Sequence, residues 1–269
     1  MPHYICVTCG TQYAESQQPP ANCLICTDER QYIGWQGQQW TTLAEFQQTH
    51  TNELRTEGDR ITGIGSTPKI AIGQRALLLQ TGEGNLLWDC ITLVDDATVK
   101  AVEALGGIKA IAISHPHYYS CMVEWSQRFG GVPIYLHADD RQWVMRASPE
   151  IVFWEGDTRP LFGGITLINC RGHFDGSTVA HWTDAEGGQG ALFSGDSIHV
   201  AQDRRYVGFM RSFPNYIPLP ASAVNHIVDA VSPFPFKRIY GAWWDTIVAE
   251  DGNGVVRQSA ERYVKWSRG

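Results

Sequence analysis

His115 and His117 stand two residues apart in the loop His115-Pro116-His117-Tyr118-Tyr119-Ser120, directly after the apolar run Ile108 to Ile113. Two imidazoles at i and i+2 in a loop leaving a buried strand can aim at one point, and neutral imidazole is the commonest protein ligand for zinc and iron. A second cluster, Cys6, Cys9, Cys23 and Cys26, has the spacing CxxC, thirteen residues, CxxC. Four thiolates on two such turns suit tetrahedral zinc, and a segment of about 30 residues, too small for a core of its own, takes its fold from the metal. Two disulfides or a redox iron site are the alternatives. The three dispersed cysteines, Cys90, Cys121 and Cys170, favour a reducing compartment and so a metal.

The histidine loop resembles the HxHxDH signature of the metallo-β-lactamase superfamily, with Tyr119 in place of the aspartate and Ser120 in place of the last histidine. Gly172-His173-Phe174-Asp175-Gly176-Ser177 looks like the family's next histidine turn. Phe193-Ser194-Gly195-Asp196 resembles its FSGD turn, which carries a metal-bridging aspartate. The final family histidine should lie near Ala242 to Asp245, where the chain reads Ala-Trp-Trp-Asp. The resemblance therefore implies a first metal site made of His115, His117, His173 and Asp196, and a second site that keeps only Asp196. The N-terminal segment resembles a zinc ribbon or rubredoxin-like module.

The elements that must position these residues divide the chain in three. Residues 1–34 form the four-cysteine ribbon, with Gln31 to Gly34 completing its small sheet. Residues 35–60 are a helical connector, opened by a Thr42/Glu45 capping box and carrying a sparse apolar stripe of Leu43, Phe46 and Leu54. Residues 61–269 are the main domain. Its strand candidates run from Ile70–Ile72, Ala76–Gln80 and Asn85–Asp89 through Ile108–Ile113, Pro133–His137, Ile165–Asn169, Thr178–Trp182 and Ala191–Ser194. Helices are expected over Asp96–Leu105, Tyr119–Phe129 and Ala221–Val231. This alternation fits the α/β (α+β) class and the four-layer αββα sandwich that the resemblance implies, preceded by the ribbon.

Composition narrows the partners. A net charge of −7 with scattered Lys and Arg argues against the clustered basic face that a nucleic acid usually requires, and a small-molecule substrate is expected. No apolar run of about 18 residues is present to span a membrane, and the N-terminus opens on a polar, cysteine-rich segment, so a cytoplasmic protein is expected. The sequence carries no signal for an oligomeric state.

The resemblance implies one divalent ion in the main domain, with zinc favoured over iron or manganese, and one structural zinc in the ribbon. A metal held by three imidazoles and a carboxylate keeps an open position, lowers the pKa of its water and supports hydrolysis. The expected activity is a mononuclear metallo-hydrolase, cleaving an ester, thioester, lactone or amide through metal-bound hydroxide. Alternatives are a pseudoenzyme or binding module with a structural ion or none, and a mononuclear iron dioxygenase using His115, His173 and Asp196. Tyr119 is expected either to donate a hydrogen bond to a developing oxyanion or simply to plug the lost second site. Asp175 is a candidate to orient a ligand imidazole or accept a proton. His199, Trp243 and Trp244, with Phe209, Phe213 and Tyr216, are candidates for the substrate pocket.

Overall fold

The alternation in Ala76–Thr81 and Gly84–Trp88 already specifies a layered molecule, because successive side chains on a strand face opposite sides. In the computed structural model, which describes residues 1–267, Leu77, Leu79, Leu86 and Trp88 point one way and Ala76, Leu78 and Leu87 the other, all buried. The first set meets Ile165, Leu167, Ala180, Phe193 and Tyr240 of a second sheet. The second set meets the helices Asp96–Ala104 and Met122–Arg128 through Val99, Val102, Val123 and Trp125. The outer face of the second sheet, with Ile168, Val179, Leu192 and Ile239, packs on Val224, Ile227, Val256 and Ala260 of helices Ala221–Val231 and Gly252–Ser267. The layers are thus helix, sheet, sheet, helix.

The first sheet has seven strands in the spatial order Ile151–Trp154, Ile134–His137, Ala110–Ala112, Gly84–Trp88, Ala76–Thr81, Ile61–Thr67, Thr51–Gly58. Its first four strands are parallel and the rest antiparallel. The second has six strands, Thr158–Pro160, Ile165–Asn169, Thr178–Trp182, Ala191–Phe193, Arg238–Tyr240 and Ile247–Val248, in that order. The strands Ala110–Ala112, Ile165–Asn169, Ala191–Phe193 and Arg238–Tyr240 all end on the same rim of the sandwich, and the loops that follow them carry the chemistry.

Three boundaries differ from the sequence reading. The third strand of the ribbon sheet is Trp40–Thr41, paired with His3–Cys6, so the expected strand Gln31 to Gly34 is instead loop. The capping box is present and opens the helix Leu43–Thr49, but that helix is short and Leu54 belongs to the edge strand Thr51–Gly58. The main sheet therefore starts inside the expected 35–60 connector. That strand has a single large apolar side chain, Leu54, and pairs antiparallel with Ile61–Thr67, so it offers no apolar period to read. Ile70–Ile72, expected as a strand, is a turn. No described helix is long and apolar enough to cross a membrane.

Candidate metal centre

The histidine loop is tied down from both sheets before any imidazole is placed. Asp89, at the end of its strand, accepts the Ser114 N–H at 2.7 Å, and the Ser114 carbonyl accepts the Thr178 N–H at 2.8 Å. Burial pushes the Asp89 carboxyl up to about 7. The chain then enters a single 3-10 turn, Pro116–Tyr118. In that geometry residues i and i+3 lie on the same side, so Tyr118 follows His115 toward the centre, with ring centroids 4.4 Å apart, and Tyr119 turns away.

Four side chains converge at the rim: ligand atoms of His115, His117, His173 and Asp196 all lie within 4.8 Å of one another and all four residues are buried. His115 Nε2 stands 3.4 Å and His173 Nε2 3.8 Å from Asp196 Oδ2, and His117 Nδ1 is 3.3 Å from His173 Nε2. Gly195 adopts φ +50 and lets the Asp196 turn close against Ser114, since a Cβ there would sit 2.5 Å from Ser114 Oγ.

The donor set is in the form that a metal requires. The carbonyl of Met210 can only accept, so at 3.0 Å it fixes the proton of His173 on Nδ1 and leaves the Nε2 lone pair facing the cluster. Ser114 Oγ lies 2.9 Å from His115 Nδ1 and can accept from it in the same sense. Burial and the neighbouring His115 push His173 down to about 3, and burial puts His117 well below the usual imidazole range, so both rings are neutral at pH 7. Burial alone would raise the Asp196 carboxyl, but His115 and His199 beside it hold it well below the usual carboxylate range. His115 Nε2 is buried without a hydrogen-bond partner, which is what an ion would supply. Three imidazoles and one carboxylate fit a single divalent cation.

The other face of Asp196 is occupied by protein. Tyr118 donates its phenol proton to Asp196 Oδ1 at 2.7 Å, and burial together with that carboxylate keeps the phenol protonated. His199 Nδ1 is 4.0 Å from the same oxygen. The His199 ring packs between Phe213, at 4.4 Å, and Trp243, at 5.1 Å. A cleft of about 270 Å³ reaches His117, His173 and Asp196 past Gln31, Tyr32, Lys69, Ile72, Phe213 and Trp243.

Several expectations move. Tyr119 is buried in the helix-side core, and the phenol at the centre is Tyr118, which the sequence reading passed over. Asp175 is exposed and makes no hydrogen bond among the described residues; the His173 ring is oriented by Met210 instead. Trp243 lines the cleft, whereas Trp244 packs against Gly63 and Gly65 and under Arg55 and Arg75. A Cβ at Gly63 or Gly65 would meet the Trp244 ring at 2.6 Å, so those glycines make room for the indole rather than for a ligand. Phe213 lines the cleft, His199 packs against Phe213 and Trp243 without lining it, Phe209 lies in the core under the second sheet, and Tyr216 is exposed. Lys69, Gln31 and Tyr32 come from segments that carry no motif.

In the ribbon, Cys6 and Cys26 sulfurs are 3.7 Å apart, as are those of Cys9 and Cys23, and all seven cysteines are free. Thiolates about 2.3 Å from one tetrahedral ion lie about 3.8 Å from each other, so the four sulfurs fit a metal.

No protein-family model matches the chain. It is 48% identical over 267 residues to an uncharacterized protein of Bacillus subtilis (strain 168), YmaE, a match covering 98% of this chain and 97% of that protein. Among solved structures it is similar to metallo-β-lactamase FIM-1 from Pseudomonas aeruginosa in the mono-zinc form, with a TM-score of 0.56 and 14% identity over 79% of this chain and 96% of that one. Metallo-β-lactamase SMB-1 bound to 2-mercaptoethanesulfonate gives 0.55 and 15% over 80% and 95%. A B3 metallo-β-lactamase with an active-site glutamic acid gives 0.55 and 16% over 80% and 89%. These likenesses establish the fold.

Proposed function

Since the chain belongs to the family of Bacillus subtilis YmaE and has the metallo-β-lactamase fold, we propose that it is a hydrolase working with one divalent ion, zinc by preference, held by His115, His117, His173 and Asp196. The observation that carries this reading is the convergence of three imidazoles and one carboxylate at the floor of an open cleft, with the His117 and His173 rings neutral and Asp196 ionised. When bound there, such an ion would polarise an acyl oxygen and activate water for attack on it.

The protein's own groups set the rest. Asp196 divides its oxygens, Oδ2 toward the imidazoles and Oδ1 toward Tyr118 and His199. The Tyr118 phenol occupies Asp196 Oδ1, and the stretch Ala242 to Asp245, where the family resemblance puts a histidine, has none, which supports a mononuclear centre. The mono-zinc form of FIM-1 is a precedent for one ion in this fold. Ile72, Phe213, Trp243 and Tyr32 give the cleft apolar walls, which suit an ester, thioester, lactone or amide with an apolar flank. Because His117 joins the cluster rather than standing aside, the three-histidine hydrolase is favoured over a two-histidine iron dioxygenase.

The test is elemental analysis of protein purified without added metal, together with turnover of a chromogenic ester, a thioester, a lactone and a β-lactam near pH 7.5. Wild type should carry about two ions and hydrolyse at least one of these acyl classes. His117→Ala should keep the ribbon's ion, lose the other and drop turnover by about 10³-fold or more. A fully loaded main centre with no turnover of any acyl compound would overturn the hydrolase.

A further inference from the structure

The segment that leaves the second cysteine knuckle, residues 28–32, runs straight into the metal centre. Arg30 is buried, its Nε donates to the backbone carbonyl of His173 at 2.7 Å, its guanidinium covers the Phe174 ring at 4.4 Å, and Asp28 balances its charge at 2.8 Å. The imidazole of the same His173 is fixed from the other side by Met210, whose strand, Met210–Ser212, is also bound to the ribbon. Ser212 Oγ donates to the Arg30 carbonyl at 3.0 Å, and Asn215 Nδ2 donates to the carbonyls of Glu29 and Gln31 at 2.9 and 2.8 Å. The hydrogen bonds close a ring: Arg30 to the His173 backbone, the His173 imidazole to Met210, and Ser212 back to Arg30. Gln31 and Tyr32 then continue as one wall of the cleft.

We propose that the four-cysteine ribbon is a working arm of the main centre, in which Arg30 is a positioning residue for His173, so that the main site's affinity for its ion depends on the ribbon keeping its own. This rests on the metal-centre reading above. One contact to His173 comes from residues 28–32 directly and the other from a strand that Ser212 and Asn215 tie to them, and a four-residue helix, Leu24–Thr27, is all that separates residues 28–32 from the Cys23 thiolate. Releasing the ribbon's ion frees the Cys26 end of that segment and with it the Arg30 bond to the His173 backbone and the Ser212 tie that steadies the Met210 strand.

Cobalt(II) reports the two sites separately in the full-length protein, since the thiolate site gives a sulfur-to-cobalt charge-transfer band and the imidazole site only d–d bands. With both sites loaded, chelator competition gives the main-site affinity. Arg30→Ala should lower that affinity about tenfold or more and shift the d–d bands, while leaving the charge-transfer band intact. Arg30→Lys, which restores a donor and the charge, should recover part of the loss. Arg211→Ala, which breaks only the exposed pair with Glu29, should stay within about twofold of wild type. Should Arg30→Ala prevent folding, the same question is put to wild type by ejecting the ribbon's cobalt with an organomercurial, and the main-site bands should then shift and the ion leave faster. Unchanged main-site affinity and bands in Arg30→Ala, or after ejection, would overturn the coupling and leave the metal centre standing. Wild type taking up cobalt at the thiolates alone would overturn the metal-centre reading and this inference with it.

Discussion

The two ligand clusters are built in opposite ways. The ribbon draws four cysteines from a stretch of 21 residues, Cys6 to Cys26, all buried, with Gln38 donating to the Cys6 sulfur and Tyr13 accepting the Leu24 N–H. Nothing points into a cleft, and every ligand position is protein. The histidine centre collects its groups from three loops of the main domain, braces them with Asp89, Ser114 and Met210, and opens on a cleft. A closed tetrahedral set leaves no position for substrate, whereas a set with one face left to solvent can exchange a ligand and do chemistry. On the proposed reading, the small module would take its fold from a metal, whereas the large one would hold a metal by means of its fold.

The comparison breaks most visibly at Cys9. Cys9→Ser should remove the ribbon's ion and, with it, a contribution of about 10 kcal/mol or more to folding that region. Limited proteolysis should then cut within the ribbon, and elemental analysis should find at least one ion fewer per chain. His117→Ala should instead lose its ion with the ribbon intact and the melting temperature lowered only by the linkage to bound metal, a few kcal/mol. A metal-free ribbon that still resists protease would end the distinction.

What could be read from residues alone follows the same division. The ribbon's ligands are local in sequence, so CxxC spacing exposed all four. His115 and His117 were legible from their i, i+2 spacing after an apolar run, and His173 and Asp196 from short glycine-containing turns, Gly172 before His173 and Gly195 before Asp196, all in the order the resemblance implies. Their braces were not. Tyr118 and Tyr119 are adjacent phenols, and only the 3-10 turn, with its threefold repeat, decides which one meets Asp196. Met210 acts through its carbonyl, which any residue type would supply, and Arg30 lies 143 positions from the histidine it supports. The helix Gly252–Ser267 was missed because its opening Gly-Asn-Gly reads as a turn.

A second test sharpens the contrast between supports that titrate and supports that do not. Asp140 accepts the Gly176 N–H at 3.0 Å, in the turn that follows His173, and burial pushes its carboxyl up to about 7. The ribbon's cysteine Sγ is braced by the amide of Gln38, which has no proton to lose. A carboxyl whose folded pKa is raised favours the folded state most below its unfolded value near 3.8, and that advantage is lost as pH rises through about 7. Asp140→Asn keeps an acceptor oxygen and cannot ionise. The stability of the variant relative to wild type, measured by urea unfolding, should therefore rise between pH 4 and pH 8, by on the order of 3 kcal/mol. A difference that stays flat across that window would place the Asp140 carboxyl in a better solvated state than its burial implies.

The smallest effect probes the boundary between a ligand set and its surroundings. Tyr118→Phe deletes one hydroxyl, leaves the ring against His115, and removes the proton that Asp196 Oδ1 accepts. A charge-assisted hydrogen bond to a buried carboxylate is worth about 1–3 kcal/mol, so main-site metal affinity and turnover should each fall roughly tenfold with the ribbon's ion untouched. Tyr119→Phe, one residue on but facing the helix-side core, should leave both within about twofold of wild type, because its hydroxyl makes no hydrogen bond among the described residues. Freed of its phenol, Asp196 Oδ1 would face His199 Nδ1 alone, two donors of the kind a second ion uses. Elemental analysis of Tyr118→Phe at increasing zinc then separates two roles for the phenol. A third ion per chain would show that Tyr118 keeps the centre mononuclear by occupying the second position, and a constant count of two would show that it serves Asp196 alone.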